Sequence, residues 1–213
     1  MGAVMKMKTL QGYLQQVKGF SEPKLELEQY ETPAHIAAIA LYTIQTQYDD
    51  IEGSSILDAG CGPGMLSIGS ALLGAATVTS LDIDEMSLEV FKDNVEEIEV
   101  TNIDAVQCDF LHLENSRWMS YFDTVIMNPP FGTKNNTGID LKFLRLGLNL
   151  SCNSVYSFHK SSTRNHIETK LKDWGAQGSV VAQLRYDLPQ TYRFHRKHTV
   201  DIAVDLWRVT TKK

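Results

Sequence analysis

The chain has 213 residues, 43% of them apolar and 22% charged, with a formal net charge of −6. That is chain enough for one globular domain with a full core, and no apolar run approaches the ~20 residues that span a bilayer. The acidic balance argues against strong unaided binding to nucleic acid, whose affinity comes largely from neutralising phosphates, so an RNA or DNA substrate would need a local basic surface or a partner.

Residues 1–31 read as an irregular or partly helical extension, with LQGYLQQV as a short apolar face. Thr32-Pro33 is a helix start, Thr as N-cap and Pro in the first turn, and Ile36, Ile39, Ala40, Thr43 and Ile44 carry the helix over 33–48. Short apolar runs then alternate with helical patterns. Strands are expected at 55–58, 77–82, 103–107 and 122–127, with helices at 65–73 and 85–98, the second capped by Asp84. A helix at 141–150, a strand at 154–158 and a helix at 162–174 opened by a Ser/Thr cap follow. Two long alternating strands, 180–186 and 200–209, close the chain without a helix between them. The pattern is α/β: a seven-stranded, mostly parallel sheet with an antiparallel hairpin at one edge and helices on both faces. The domain division is 1–31 as an extension and 32–213 as a single domain.

Sites in such sheets lie at the carboxyl ends of the strands, which selects Asp58, Asp82, Asp109 and Asn128. The loop Asp58-Ala-Gly60-Cys-Gly62-Pro-Gly64 joins the first strand to its helix. Glycines there allow positive φ and close approach of a ligand, and the helix N-terminus behind them attracts an anionic group such as a carboxylate. The spacing is GxGxG, not the GxGxxG of dinucleotide sites. Asp82 follows about 20 residues on, where an acid hydrogen-bonds ribose hydroxyls. Asp109 can face an adenine amino group. A ligand-free turn with solvated acids is the plain alternative; together the loop and acids favour an adenosine-containing cofactor.

Asn128-Pro129-Pro130-Phe131 follows a strand with an apolar core. Two prolines fix φ and remove donors, so the Pro129 carbonyl is left to accept from a ligand. The Asn128 side-chain oxygen is a second acceptor. Two acceptors on one planar NH2 encourage its nitrogen to pyramidalise and free the lone pair. Phe131 offers a face for a stacked base. The chemistry needs orientation rather than an acid–base triad. The plain alternative is a rigid turn with a core phenylalanine.

DxGxGxG, a ribose acid and NPPF in this order resemble class I, S-adenosyl-L-methionine-dependent amino-methyltransferases of Rossmann-like fold. The closer resemblance is to the methyltransferase-like protein five family, through LEQYETPAHIAA (27–38), DIEGSSILDAGCGPGMLSIG (50–69), DIDEMSLE (82–89), TNIDAVQCD (101–109), DTVIMNPPFGTKNN (123–136), HKSSTR (159–164) and LRYDLPQTYRFH (184–195). It covers nearly the whole chain. It implies methylation of N6 of an adenosine in small-subunit ribosomal RNA. It implies cofactor contacts from Gln29, Thr32, Gly60, Pro63, Met65, Asp82, Asp109 and Phe110, so the extension would contribute to the cofactor site, and it makes Asn128, Pro129, Pro130 and Phe131 the catalytic loop. Pro63 departs from the Cys expected in vertebrate members. The family also implies a heterodimer with a small zinc-containing methyltransferase activator subunit, in the nucleus and cytoplasm.

Arg193, Arg196 and Lys197, with Tyr192 and Phe194 interleaved, form the densest basic cluster and suit single-stranded RNA, or else a solvated hairpin loop. Lys134 and His159-Lys160 would join that face. Cys61, Cys108 and Cys152 form no CxxC pair, so no metal and no disulfide framework are expected, and a reduced intracellular compartment fits. Two other functions keep the same motifs: methylation of a protein glutamine amide, and a cofactor-binding scaffold without catalysis.

Overall fold

The computed structural model describes residues 5–132, 136–189 and 199–211. Seven strands form one sheet: β1 (Ser55–Ala59), β2 (Thr77–Asp82), β3 (Ile103–Gln107), β4 (Phe122–Met127), β5 (Ser151–Lys160), β6 (Ala176–Pro189) and β7 (Thr199–Thr211). Their order is β3-β2-β1-β4-β5-β7-β6. The first five pair in parallel, while β7 runs antiparallel between β5 and β6. The chain reverses its direction of travel across the sheet between β1 and β4, and their carboxyl ends open the crevice where ligands bind in such sheets.

Side-chain alternation divides the strands between two cores. Ile56, Val78, Ile126 and Tyr156 face α1 (Met7–Leu14), α2 (Ala34–Tyr48) and α3 (Met65–Leu72). Leu57, Leu81, Val125 and Val155 face α5 (Ile139–Leu150) and α6 (Arg164–Asp173). Phe91 on α4 (Glu85–Ile98) packs with Leu88 and Cys61 beside the first core. Leu10 and Leu14 of α1 are fully buried in the first core, so α1 is a structural member of the same body.

The elements follow the expected order, and the differences lie at their ends. β5, β6 and β7 are longer than their apolar runs, and α5 begins at Ile139. All three expected side-chain caps are absent. Pro33 holds the N-cap position of α2, and the Thr32 hydroxyl is bonded to Asn128. Asp84 holds the N-cap position of α4 without capping, because its carboxylate is taken by Lys24, Gln29 and Ser87. A short 3-10 turn, Ser161–Thr163, precedes α6, and the Thr163 hydroxyl donates back to the Lys160 carbonyl. Among the described residues no helix is long and apolar enough to cross a membrane, and no group of three or more His, Cys, Asp or Glu could hold a metal ion.

Candidate active site

The loop from β1 to α3 is built around three left-handed glycines, with φ of +77° at Gly60, +51° at Gly62 and +99° at Gly64. L-residues resist that region, and at Gly62 and Gly64 a side chain would also crowd a neighbouring ring. A Cβ on Gly62 would lie 2.8 Å from the Phe20 ring, and one on Gly64 would lie 2.7 Å from Phe91. The amides of Gly60 and Cys61 both donate to the Leu81 carbonyl at 2.9 Å. Gly62 donates to Asp82 Oδ2 at 2.8 Å, and Asp84 donates its amide to Oδ1 at 2.9 Å. Asp82 thus has a fixed carboxylate with lone pairs left for the cavity it lines. Burial pushes its carboxyl upward, partly offset by those amides.

Asp58 lies beneath this loop rather than in the cavity wall. Ser67 Oγ donates to its Oδ2 at 2.6 Å, Ser80 Oγ bonds Ser67, and Oδ1 is buried without a partner. Burial, reinforced by the charge of Asp82, raises Asp58 to about 7.

The segment before α2 crosses over the loop. Asn94 accepts from the Lys18 amide and donates to the carbonyls of Lys18 and Pro63, all at 2.9 Å. Lys24 Nζ, Gln29 Nε2 and Ser87 Oγ converge on the Asp84 carboxylate. Burial pulls Asp84 upward, and these bonds overcome it and hold the group at about 2. Gln29 lines the cavity, but its amide is engaged with Asp84, Ser87 and the Lys24 amide, so its side chain fixes the segment.

At the end of β4, Asn128 Nδ2 donates to Thr32 Oγ1 at 2.9 Å. Asn128 Oδ1 is buried and has no hydrogen-bond partner. Pro129 is buried, and among the described residues no backbone amide donates to its carbonyl. Pro130 lines the cavity; half-buried Phe131 packs on the α2-side core, with Lys160 Nζ 5.7 Å above its ring. Beyond the loop, Asn136 Nδ2 donates to the Glu26 carbonyl at 3.1 Å and to Glu28 Oε1 at 3.3 Å.

These pieces enclose a cavity of about 250 Å³. Gly60, Gly62, Pro63 and Met65 form one wall, Asp82 and Asp109 the floor at the strand ends, and Gln29 and Thr32 the cover. Asn128 and Pro130 close the far end. Asp109 is held by the Leu111 amide, 3.0 Å from Oδ1. Phe110 stands behind the wall, 3% exposed, with its ring 4.8 Å from that of Phe143, which does reach the cavity. Lys134, Arg193, Arg196 and Lys197 lie outside the described residues. His159 does not join a basic surface: it is fully buried, between Asp140 Oδ2 at 3.2 Å and Ser157 Oγ at 2.9 Å. A larger hollow of about 590 Å³, across Leu111, is lined by Lys142, Arg145, Lys170 and Glu114. It contains none of the strand-end acids and no buried, unpartnered polar atom.

Phe20, Asn94 and Phe143 shape the site without a local signature. Each reaches it from an element whose position only the tertiary fold sets.

The rRNA N(6)-adenosine-methyltransferase METTL5 of Danio rerio is 53% identical over 97% of this chain and 99% of its own length. The chain belongs to the rRNA N(6)-adenosine-methyltransferase METTL5 family. The Drosophila melanogaster member is 50% identical over 97% of both chains. A family model described as ribosomal protein L11 methyltransferase (PrmA) matches residues 28–129, from the cover of the cavity to Pro129. Among solved structures, a Pyrococcus horikoshii protein provisionally assigned as an RNA methyltransferase superposes with a TM-score of 0.83 at 33% identity, covering 97% of each chain. METTL5-family membership and the Rossmann-like fold imply use of S-adenosyl-L-methionine, and the residues fit it: Gly60 and Gly62 at positive φ on the cavity wall, and the Asp82 carboxylate fixed by the Gly62 amide 20 residues before it.

Proposed function

We propose that this chain transfers a methyl group from S-adenosyl-L-methionine to N6 of an adenosine in small-subunit ribosomal RNA. The observation that carries this reading is Asn128 Oδ1, an acceptor buried without a donor at the end of the glycine-loop cavity. A buried polar atom left unpaired is unfavourable by about 1–3 kcal/mol, and at a cavity wall a ligand donor removes that penalty. An exocyclic amine brings the missing donor.

The cofactor supplies a methyl group on a cationic sulfur, already electrophilic. Gly60 and Gly62 let its backbone-facing edge come close, Asp82 accepts from ribose hydroxyls and Asp109 from the adenine amino group. Asn128 Oδ1 and the Pro129 carbonyl accept the two hydrogens of the target amine and aim its lone pair along the line of transfer. Orientation of this kind lowers the barrier without a general base in contact with the nitrogen. Phe131 stacks on the base through the face that Lys160 leaves uncovered. Lys134, Arg193, Arg196 and Lys197 supply phosphate contacts, as their basic and aromatic setting suggests, and a small zinc-containing methyltransferase activator subunit completes a heterodimer acting in nucleus and cytoplasm, as the family resemblance implies.

Labelled cofactor incubated with purified ribosomal RNA and with ribosomal protein tests the reading. Label in RNA digests as N6-methyladenosine, lost in Asn128→Ala, is the expected result. Label in a glutamine amide would assign the same loop to protein methylation, and binding without transfer would make the chain a scaffold.

A further inference from the structure

Asn128 has two ends of nearly equal shape, an oxygen that accepts and an NH2 that donates. A half-turn about its last torsion exchanges them at little steric expense. Only one orientation serves an incoming amine: oxygen inward gives an acceptor, whereas NH2 inward sets donor against donor. The sequence of the loop does not decide between them.

We propose that Thr32 is a positioning residue that sets the Asn128 amide with its oxygen toward the substrate nitrogen. The proposal rests on the reading of Asn128 as the amine's acceptor, and it extends to any amine or amide substrate. Thr32 Oγ1 receives Asn128 Nδ2 at 2.9 Å, and Thr32 is 7% exposed, so water competes little for that hydroxyl. A hydroxyl can either donate or accept, and here Thr32 Oγ1 accepts from the Nδ2 end of the amide. Oδ1, at the other end, is buried without a partner and is left for the cavity that Asn128 lines. Two distant elements thereby set one torsion: the residue before Pro33 and the end of β4.

Thr32→Val keeps the shape and removes the hydroxyl. Methyl transfer at saturating substrates is expected to fall by about 10–100-fold, as for loss of an aligned catalytic hydrogen bond, with the cofactor Kd within about 2-fold. Thr32→Ser should restore most of the rate. The orientation is also read without turnover, from hydrogen exchange of the 15N-labelled Asn128 side-chain NH2. Protection is expected in the wild type and Thr32→Ser and lost in Thr32→Val, or in Thr32→Ala should the valine variant not fold. A weaker cofactor Kd with an unchanged saturated rate would instead make Thr32 a cofactor contact and overturn the proposal, as would unchanged NH2 exchange. Digests of wild-type product identify the substrate separately, so an error there leaves the exchange result intact.

Discussion

The two ends of the parallel strands treat buried polar groups in opposite ways. At the amino-terminal end, Asp50 accepts from Asn153 Nδ2 at 2.9 Å, Ser154 Oγ at 2.9 Å, Tyr156 Oη at 2.7 Å and Arg208 Nε at 3.2 Å. The Arg208 guanidinium also stacks over Tyr48, 4.7 Å from the ring centroid. Both carboxylate oxygens are partnered, and the network seals the sheet. At the carboxyl end, Asn128 Oδ1 is buried at the cavity without a partner, and Asp58 Oδ1 is unpartnered beneath the glycine loop. A satisfied network holds a fold together, whereas an unfilled acceptor at a cavity is unfavourable until something binds. The same sheet thus separates a structural edge from a working one.

Asp50→Ala should break this contrast most severely. It leaves a guanidinium, a phenol and a serine hydroxyl partly buried without their acceptor, and a loss of about 3–5 kcal/mol in denaturant unfolding is expected. A loss below about 1 kcal/mol would mean the lower network is dispensable. Next comes Asp58. Its folded-state value of about 7 stands above the ordinary 3.8, so between these values the folded protein binds more protons than the unfolded chain. The stability this gives is complete below about 3.8 and is lost as pH rises through 7, at up to about 1.4 kcal/mol per pH unit. Thermal melts from pH 4 to 7 should show that decline in the wild type and a flatter profile in Asp58→Asn. Gly62→Ala forces a Cβ toward Phe20 at positive φ, and a loss of about 1–2 kcal/mol with weaker cofactor binding by calorimetry is expected. Smallest of all, Asn128→Ala should leave stability within about 0.5 kcal/mol, since it deletes an unpaired oxygen along with one hydrogen bond. A loss comparable to that of Asp50→Ala would erase the distinction between the two edges.

Much of the fold was legible because α/β punctuation is local: apolar runs, a glycine loop, acids at strand ends. β2, α4, β3 and β4 have the ends their residues indicate. The candidate site was legible as far as Gly60, Gly62, Asp82, Asp109 and Asn128, which the fold gathers around one cavity. What was hidden depends on distant partners. Thr32 and Asp84 have the look of helix caps, yet their side chains are used by Asn128, 96 residues away, and by Lys24, 60 residues away. His159 read as a surface cation because Asp140 and Ser157 close over it only in the folded sheet. Asp58 falls behind the cavity because strand alternation turns one residue inward for each turned out, and Phe110 because it opens a short 3-10 turn, Phe110–Leu113, and packs on Phe143.

The central claim is that Asn128 serves the transferred methyl's acceptor and not the cofactor. Single-turnover methyl transfer to a ribosomal RNA fragment, with cofactor Kd measured in parallel on the same Asn128→Ala protein, tests it most directly. The account predicts a transfer rate lower by about 10²–10³ and a Kd within about 2-fold of wild type. A rate near wild type, or a Kd weakened in proportion to the rate, would contradict it.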